Sequence, residues 1–344
     1  MHYSGYIRQL AYGQETLDME IAVLAFDGCL GSGVLGPIDI LSMGRRMLSK
    51  KGEGELYSVS AVSFDGKPVF DGNGRRLEVD ASFEQMAHCA AIIVPGYACD
   101  GGHSLPATTA IAAATAWIRR QHALGALILA SCNGVFLLGE AGLLDGRRCT
   151  TTWWRHDELM SRYPRADAAL GAPIIEDGRV ITAGGPLSWI DLSLAAIRRL
   201  IGAEAAKIAA DFTVVDTAPN SQTVYVPPGH LAASNPFLLE AEHVVREAGD
   251  APISAKSLAH AVGVSERTLH RRLKEASGES PKGFIDRVRF ETARVLLETT
   301  AQSIKQLSAS FGYADETSFR RAFHRYAGMT PGAYRNWARA RATG

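Results

Sequence analysis

The sequence has few cysteines, and their number and spacing do not indicate disulfide pairs. The five cysteines are scattered along 344 residues, their number is odd, and no C-x-x-C occurs. This pattern argues against a disulfide framework and against a zinc site, and it is typical of a protein from a reducing compartment. We therefore predict no metal, no cofactor and a cytoplasmic location.

Long apolar runs are also missing. No uninterrupted apolar stretch is long enough to span a bilayer, and residues 1–18 lack the apolar core of a signal peptide. We expect residues 1–18 to form a loose leader and the chain to have no membrane partner.

The chain has no net charge, because 36 Lys and Arg balance 36 Asp and Glu. The two parts of the chain differ, however. Residues 235–344 carry 17 of the Lys and Arg but only 12 of the Asp and Glu, so this part has a net charge of +5 and residues 1–234 have −5. A basic final third beside an acidic remainder indicates a polyanion-binding module attached to another domain.

Strands and helices alternate from Glu20 to about Val215. Apolar strands such as "IAVLAF", "AAIIVPG" and "ALILA" are separated by helical stretches such as "VLGPIDILSMGRRML". This alternation predicts an α/β doubly wound fold, with a mainly parallel sheet, over residues 19–216. Residues 217–235 mix Pro, Gly, Ser and Asn without period and are predicted to be a linker. An all-helical domain is predicted over 236–344.

The strand "ALILA" runs into Ser131-Cys132-Asn133-Gly134, a sequence typical of a nucleophile elbow. Ligands of such sheets bind beyond the carboxyl ends of the strands. There, Tyr97 and nearby tryptophans could form an aromatic wall for a small ligand, including a cationic one. The residues predicted to line this pocket are Gly36, Tyr97, Cys132, Asn133, Thr152, Trp153 and Gly185.

A literal G-x-G-x-x-G covers Gly31 to Gly36. A dinucleotide site needs these glycines directly at a strand end and an acidic residue about 20 positions later, but "DGCL" intervenes and Asp65 lies too far on. We therefore interpret the stretch as a flexible Gly-rich turn before a helix.

The basic part of the chain contains a repeat. "LAHAVG", from Leu258, recurs as "LSASFG" 49 positions later, and "LHRRLKEASGESP", from Leu269, recurs as "FRRAFHRYAGMTP" 50 positions later. Each copy reads as helix, Gly turn and helix, which is the helix-turn-helix layout. The intervening "GFIDRVRFETARVLLETT" is predicted to be one helix that holds the two copies apart. The residues predicted to contact DNA are Arg267, His270, Arg271, Lys274, Glu316, Thr317, Arg320 and Arg321.

Arginine is suited to bidentate recognition of guanine. We expect Arg271 and Arg321, at equivalent positions of the repeat, to contact bases, whereas we expect Lys274 to contact phosphate, pack against protein or face solvent.

From "SERTLHRRL" through both helix-turn-helix copies to "GMTPGAYR", the chain resembles the DNA-binding domain of AraC/XylS-family regulators. "GPIDIL", the Cys132 elbow and "AGLLDGRRCTTTW" resemble the PfpI-like, class I glutamine amidotransferase-like fold, in the GlxA-type subgroup fused to AraC-type domains. The resemblance implies a His where this chain has Thr152, and enzymes of the superfamily support their Cys with a His. We therefore predict no catalytic residue, although His156 or His103 could in principle serve as the base.

The resemblance implies a sequence-specific regulator of transcription, more often an activator, whose PfpI-like domain senses a small molecule. Expected partners are double-stranded promoter DNA, an effector such as an amino acid or another nitrogenous metabolite, a second copy of the chain in a homodimer, and RNA polymerase if the protein is an activator. Two alternatives stay open. The protein could be a Cys-dependent hydrolase or amidase with a DNA-binding domain, or its first domain could serve only in dimerisation.

Overall fold

The computed structural model describes most of the chain: residues 19–50, 56–98, 105, 108–216, 221–230, 232, 235–249 and 251–343. The predicted leader, residues 1–18, and His103 lie outside the described residues.

A mainly parallel seven-stranded sheet dominates the first two thirds of the chain. Its strands lie in the order β10-β11-β7-β6-β1-β2-β5, and two further pairs, β3-β4 and β8-β9, lie apart from it. The pairs formed by β1, β2, β5, β6 and β7 within the sheet are all parallel. The strands are β1 (Glu20–Leu24), β2 (Ser58–Ser63), β3 (Val69–Phe70), β4 (Arg76–Leu77), β5 (Ala81–Ser82), β6 (Ala91–Val94), β7 (Leu127–Ser131), β8 (Arg148–Cys149), β9 (Asp167–Ala168), β10 (Ile174–Asp177) and β11 (Val180–Ala183).

Helices follow most strands, as the alternating pattern predicts, and the α/β fold is confirmed. The central strands β6 and β7 are buried along their whole length, so they read as continuous apolar runs. The helices of this region are α1 (Gly31–Lys50), α2 (Thr109–Ala123), α3 (Val135–Glu140), α4 (His156–Arg162), α5 (Trp189–Leu200) and α6 (Ala203–Thr213).

The Gly-rich stretch before "GPIDIL" is not a turn, and that interpretation was wrong. Helix α1 already begins at Gly31 and runs through Pro37. The glycines allow close packing of this helix: a Cβ added at Gly33 would lie 2.9 Å from Cβ of Pro95, and one at Gly36 would lie 2.4 Å from the ring of Trp189. The helical propensity lost at these glycines is offset by the close approach they permit.

The last hundred residues are helical, as predicted. The helices are α7 (Pro236–Glu247), α8 (Ala255–Ala261), α9 (Glu266–Ser277), α10 (Pro281–Thr299), α11 (Ile304–Ser310), α12 (Glu316–Ala327) and α13 (Pro331–Thr343). Gly263 and Gly312, with φ of +67° and +73°, make the turn inside each helix pair. Both pairs, α8-α9 and α11-α12, therefore have the predicted helix-turn-helix layout.

Helix α10 joins the two helix pairs and contributes to a core in each. Its first half places Phe284 and Val288 among the residues that pack under α8 and α9. Its second half places Phe290 and Leu297 among those that pack under α11 and α12. The predicted connecting helix is thus a shared wall of two small hydrophobic cores.

The chain divides into two compact units. The first contains residues 1–143, 178–181 and 186–217, and the second contains residues 144–177, 182–185 and 218–344. The second unit therefore joins the helical domain to β8, β9 and β10, a grouping that no sequence pattern indicates. Within the described ranges, no helix is both long and apolar enough to cross a membrane.

Candidate ligand site and nucleic-acid interface

In the first unit, the strand β7 ends in a sharp turn at Cys132. The backbone of Cys132 has a φ of +56°, one of two positive values among the described non-glycine residues. Gly134 lies against the end of β6, because a Cβ there would come within 2.3 Å of the Pro95 carbonyl oxygen. This strained, closely packed turn is the geometry expected of a nucleophile elbow.

Asn133 fastens this elbow to the neighbouring strand end. Its Oδ1 accepts a hydrogen bond of 2.8 Å from the Tyr97 amide, and its Nδ2 donates one of 2.9 Å to the Tyr97 carbonyl. Asn133 is buried, as are Cys132 and Tyr97. Since both ends of the carboxamide are engaged by backbone, Asn133 fixes the position of Tyr97 beside Cys132.

The structure brings three of the predicted pocket residues of this unit together, namely Tyr97, Cys132 and Asn133. The fourth, Gly36, instead lies directly under the Trp189 ring. Trp189 is half-buried, and its Nε1 is a buried donor with no acceptor among the described residues.

In the second unit, the run Thr150-Thr151-Thr152 is fully buried. Thr150 donates from its Oγ1 to the carbonyls of Ala169 and Ala172, at 3.1 and 2.9 Å. The hydroxyl of Thr152 is also buried but makes no hydrogen bond within the part of the chain that the structure describes. Thr152 therefore presents an unsatisfied polar group at the position where the resemblance implies a histidine.

Gln222, from the predicted linker, enters this region. Its Nε2 donates to the carbonyls of Thr151 and Ala172, at 3.1 and 2.9 Å, and its Oε1 accepts from the Trp153 amide at 3.2 Å. A Cβ added at Gly184 would lie 1.5 Å from that same nitrogen. Two predicted pocket residues, Thr152 and Trp153, thus lie beside a side chain from the linker, and the third, Gly185, follows Gly184.

His156 does not have the surroundings of a general base. It is 2% exposed, its Nδ1 lies 3.2 Å from a carboxylate oxygen of Asp157, and its Nε2 lies 3.2 Å from the Ala168 carbonyl oxygen. Both ring nitrogens are therefore engaged within their own unit.

The other described cysteines are held as neutral thiols. Burial raises the pKa of Cys29 to about 11 and those of Cys89 and Cys149 to about 12. Because the thiolate is the nucleophilic form, these three residues are unreactive near neutral pH.

The predicted DNA-contacting residues of the first helix-turn-helix all lie on α9. Ser265 caps this helix by accepting from the Thr268 amide at 3.2 Å. Leu269 and Leu273 are completely buried on the inner face. The exposed outer face carries Arg267, His270, Arg271 and Lys274.

The second helix-turn-helix repeats this arrangement on α12. Asp315 caps the helix by accepting from the Ser318 amide at 2.7 Å, and Phe319 and Phe323 are completely buried. The outer face carries Thr317, Arg320 and Arg321, which are exposed, and Glu316, which is half-buried. In both copies the cationic side chains are thus directed away from the core.

Several of these cations are already paired with carboxylates. Arg271 lies 3.1 Å from Glu275, and Arg320 lies 2.5 Å from Glu316, each one turn along the same helix. Lys274 lies 3.3 Å from Asp167 of β9. Exposed pairs of this kind are weak, so DNA can displace them at small cost. Arg321 lines an open cavity of about 780 Å³, together with Lys282 and Arg325.

Sequence reasoning missed the buried charged network around α10. The guanidinium of Arg287 contacts carboxylates of Glu242, Glu279 and Glu291 at 2.7–3.0 Å. Arg294 donates to the backbone carbonyls of Thr223, Val224 and Val226. The spacing of the charged residues could have indicated this network, because positions 287, 291 and 294 lie at i, i+4 and i+7 on the otherwise apolar face of the helix.

Comparison with known proteins agrees with this architecture. The DJ-1/PfpI family matches residues 19–199, which is more than half of the chain, and a helix-turn-helix domain family matches residues 258–336. The HTH-type transcriptional regulator CdhR of Pseudomonas aeruginosa is 28% identical over 272 residues, covering 78% of this chain and 79% of that protein.

Two further relatives are similar. The HTH-type transcriptional regulator GlxA of Rhizobium meliloti is 28% identical over 288 residues, which cover 81% of this chain and 85% of that protein. The isonitrile hydratase of Pseudomonas putida is 29% identical over 192 residues, which cover 55% of this chain and 75% of that protein. The chain therefore belongs to the DJ-1/PfpI family, and it is an AraC-family regulator in which the DNA-binding helix-turn-helix domain follows a DJ-1/PfpI domain.

Proposed function

We propose that this protein is a cytoplasmic, homodimeric transcriptional activator whose DJ-1/PfpI domain senses a small nitrogenous metabolite. On this proposal its helical domain binds promoter DNA and recruits RNA polymerase. The observation that carries the DNA-binding part is the repeated pair of capped helices, α9 and α12, each with a buried apolar face and an exposed cationic face.

Sensing is favoured over catalysis by two residues at positions where the superfamily's enzymes support their cysteine. The residue that follows it, Asn133, is committed to the Tyr97 backbone and cannot transfer a proton at neutral pH. Thr152 stands at the position of the supporting histidine, and a hydroxyl is not a base at neutral pH. The buried elbow of the first unit, with Asn133 held by backbone, supplies a shaped, partly polar site, which is what a ligand-binding domain needs.

The experiment is selection of duplex DNA by the full-length protein, followed by binding titrations on the selected operator and on a scrambled duplex of equal length. A specific regulator should bind its operator at least about 10³-fold more tightly than the scrambled duplex at physiological salt. Equal affinity for the two duplexes would contradict the proposal.

A second candidate function is Cys-dependent hydrolysis or hydration. It is favoured by one observation, the retained positive φ of Cys132, and by the similarity to an isonitrile hydratase. The test is turnover of amide, ester and isonitrile substrates by the wild type and by Cys132→Ser. Turnover that the substitution abolishes would establish the enzymatic function, whereas no turnover by either protein would eliminate it for these substrates.

A further inference from the structure

The most unusual side chain of the second unit is Gln222. A glutamine in a Pro- and Gly-rich connecting segment is normally exposed, yet Gln222 is only 8% exposed. It contacts two carbonyl oxygens and one amide, at the Thr151, Ala172 and Trp153 backbones. The carboxamide therefore occupies a built polar site that is formed by residues just after β8 and by the loop before β10.

The polarity of this site selects a narrow chemical class. Two carbonyl oxygens require N–H donors, and the Trp153 amide requires an acceptor, so the matching group is a primary carboxamide or a ureido group. A carboxylate would place its negative oxygens against the carbonyls. A quaternary ammonium group has no N–H to donate. Both would leave buried partners unsatisfied, which is costly.

A second observation points to an additional polar ligand atom. The hydroxyl of Thr152 is completely buried and makes no hydrogen bond within the described residues, and Thr152 directly precedes the Trp153 amide that Gln222 occupies. Buried hydroxyls are almost always satisfied. A ligand larger than the glutamine carboxamide could use this hydroxyl, which Gln222 itself leaves unused.

The segment around Gln222 is bound at both ends, to the Gly171 carbonyl on one side and to helix α10 on the other. Ser221 and Gln222 are fixed to the Gly171 carbonyl, with bonds of 3.2 Å from the Ser221 hydroxyl and 2.9 Å from the Gln222 amide. The Arg294 guanidinium of α10 donates to the Thr223, Val224 and Val226 carbonyls at 2.7–3.1 Å. We name Ser221–Val226 the strap. It joins the carboxamide site to the helix that separates the two helix-turn-helix units.

We propose that the Gln222 carboxamide is a tethered occupant of an effector site that takes a small molecule with a primary carboxamide or ureido group. When this molecule binds, it displaces the Gln222 side chain, so the strap loses the hydrogen bonds of the carboxamide but keeps those to the Gly171 carbonyl and to Arg294. The inference rests on the proposed function, because it names the chemical class of the effector and the route by which binding reaches α10.

The tether determines how the site must be tested. A side chain on the same chain has a high effective concentration, so a small free amide competes poorly with Gln222. Gln222→Ala removes this competition and leaves a space of the size of acetamide. In full-length Gln222→Ala, acetamide should raise the melting temperature by about 2–4 °C more than in the wild type. Acetate and tetramethylammonium should show no such difference between the two proteins.

Gly184 provides the matched control. A methyl group at this position falls where the carboxamide nitrogen lies, so Gly184→Ala in the Gln222→Ala background should abolish the acetamide response. Gly332→Ala is the neutral comparison, because a Cβ there meets nothing within 4 Å, and the response should persist. An acetamide shift that is equal in wild type and Gln222→Ala, or that survives Gly184→Ala, would overturn the proposed site.

Coupling to DNA is measured on the same variants. Gln222→Ala should change affinity for the selected operator by about fivefold or more, as expected for a typical allosteric coupling, and Gly332→Ala should not. An unchanged operator affinity would overturn the coupling through the strap. The melting measurements need no DNA, so a failure of operator binding in the wild type would refute the proposed function while leaving the amide site to be judged separately.

Discussion

Replacing Arg287 with methionine should destabilise the helical domain, because this side chain is the centre of a buried charged network. Arg287 is 6% exposed, and its Nη1 contacts Glu242 at 3.0 Å and Glu291 at 2.7 Å, while its Nε contacts Glu279 at 3.0 Å. Arg246 pairs with Glu242 and Glu291 from the other side. Two arginines thus serve three carboxylates.

Arg287→Met leaves one arginine for three carboxylates, of which Glu242 and Glu291 are almost completely buried. Burial disfavours the charge on Arg287, but the three glutamates outweigh this effect and hold the pKa of its guanidinium above the ordinary value. Removing one partner from a buried ion pair costs about 3–5 kcal/mol, since the remaining charge is left uncompensated. We expect the free energy of local unfolding of α10 to fall by this amount.

The assay is native-state hydrogen exchange of the α10 amides in the full-length protein, with Lys282→Met, an exposed cation on the same helix, as the control. Burial raises the pKa of Glu279, and the substitution removes the Arg287 charge that opposes this rise, so the loss should be largest near pH 8 and smaller near pH 5. A loss below about 1 kcal/mol that does not depend on pH would refute the reasoning.

Three further predictions follow from single residues. Burial raises the pKa of Asp191 to about 6, so its proton stabilises the fold below about pH 4 and this contribution is lost as pH rises through 6. Asp191→Asn should therefore raise the free energy of unfolding by about 1–2 kcal/mol at pH 8, after allowance for partial exposure, and leave it unchanged at pH 4. Urea titration at both pH values measures this, and equal effects at the two values would contradict it. Asp167→Asn releases Lys274 and should tighten binding to specific and non-specific duplexes alike, by about 1.4- to 5-fold. The control is Glu240→Gln, which changes an exposed carboxylate of the helical domain and should not alter binding. Equal affinities of the two variants in a binding titration would show that the Asp167–Lys274 pair does not restrain DNA binding. Cys132→Ser should leave operator affinity within twofold of the wild type, or about 0.4 kcal/mol, in the same titration, because the site is proposed to bind rather than react. A larger loss would show that the thiol itself takes part in regulation.

Local sequence patterns predicted the elements but not the tertiary uses of particular residues. The Gly turns of the two helix pairs were predicted from short-range rules, and the structure confirms them. The helix caps and the buried residues Leu269 and Phe319 obey the same kind of rule. The glycines between positions 31 and 36 disfavour a helix, and the close approach of Pro95 and Trp189 explains why this stretch is nevertheless helical. That packing involves residues far away in sequence, so no local pattern could reveal it.

The strap is the clearest example of information that the sequence does not carry locally. It lies within residues 217–235, whose overall composition is that of a linker, and the role of Gln222 depends on backbone groups 50 to 71 positions away. The elbow at Cys132 could be predicted, because a strand, a reactive residue and a glycine are adjacent. Its ligand could not, since recognition depends on side chains and backbone atoms from distant segments. The remaining pocket and DNA-contact assignments stay predictions.

The central claim is that two helix-turn-helix units read one operator, and the most direct measurement is a binding titration of Arg271→Ala and Arg321→Ala. We expect the second helices of the two units, α9 and α12, to enter successive major-groove faces of one duplex, about 34 Å apart. Each substitution should cost about 1–3 kcal/mol on the selected operator and relax base preference at different positions. Lys274→Ala, the control, should weaken operator and scrambled duplex alike and reduce the salt slope by about one unit. If both arginine variants lose affinity equally on every sequence, the arginines contact phosphate only and the claim that both units read bases is contradicted.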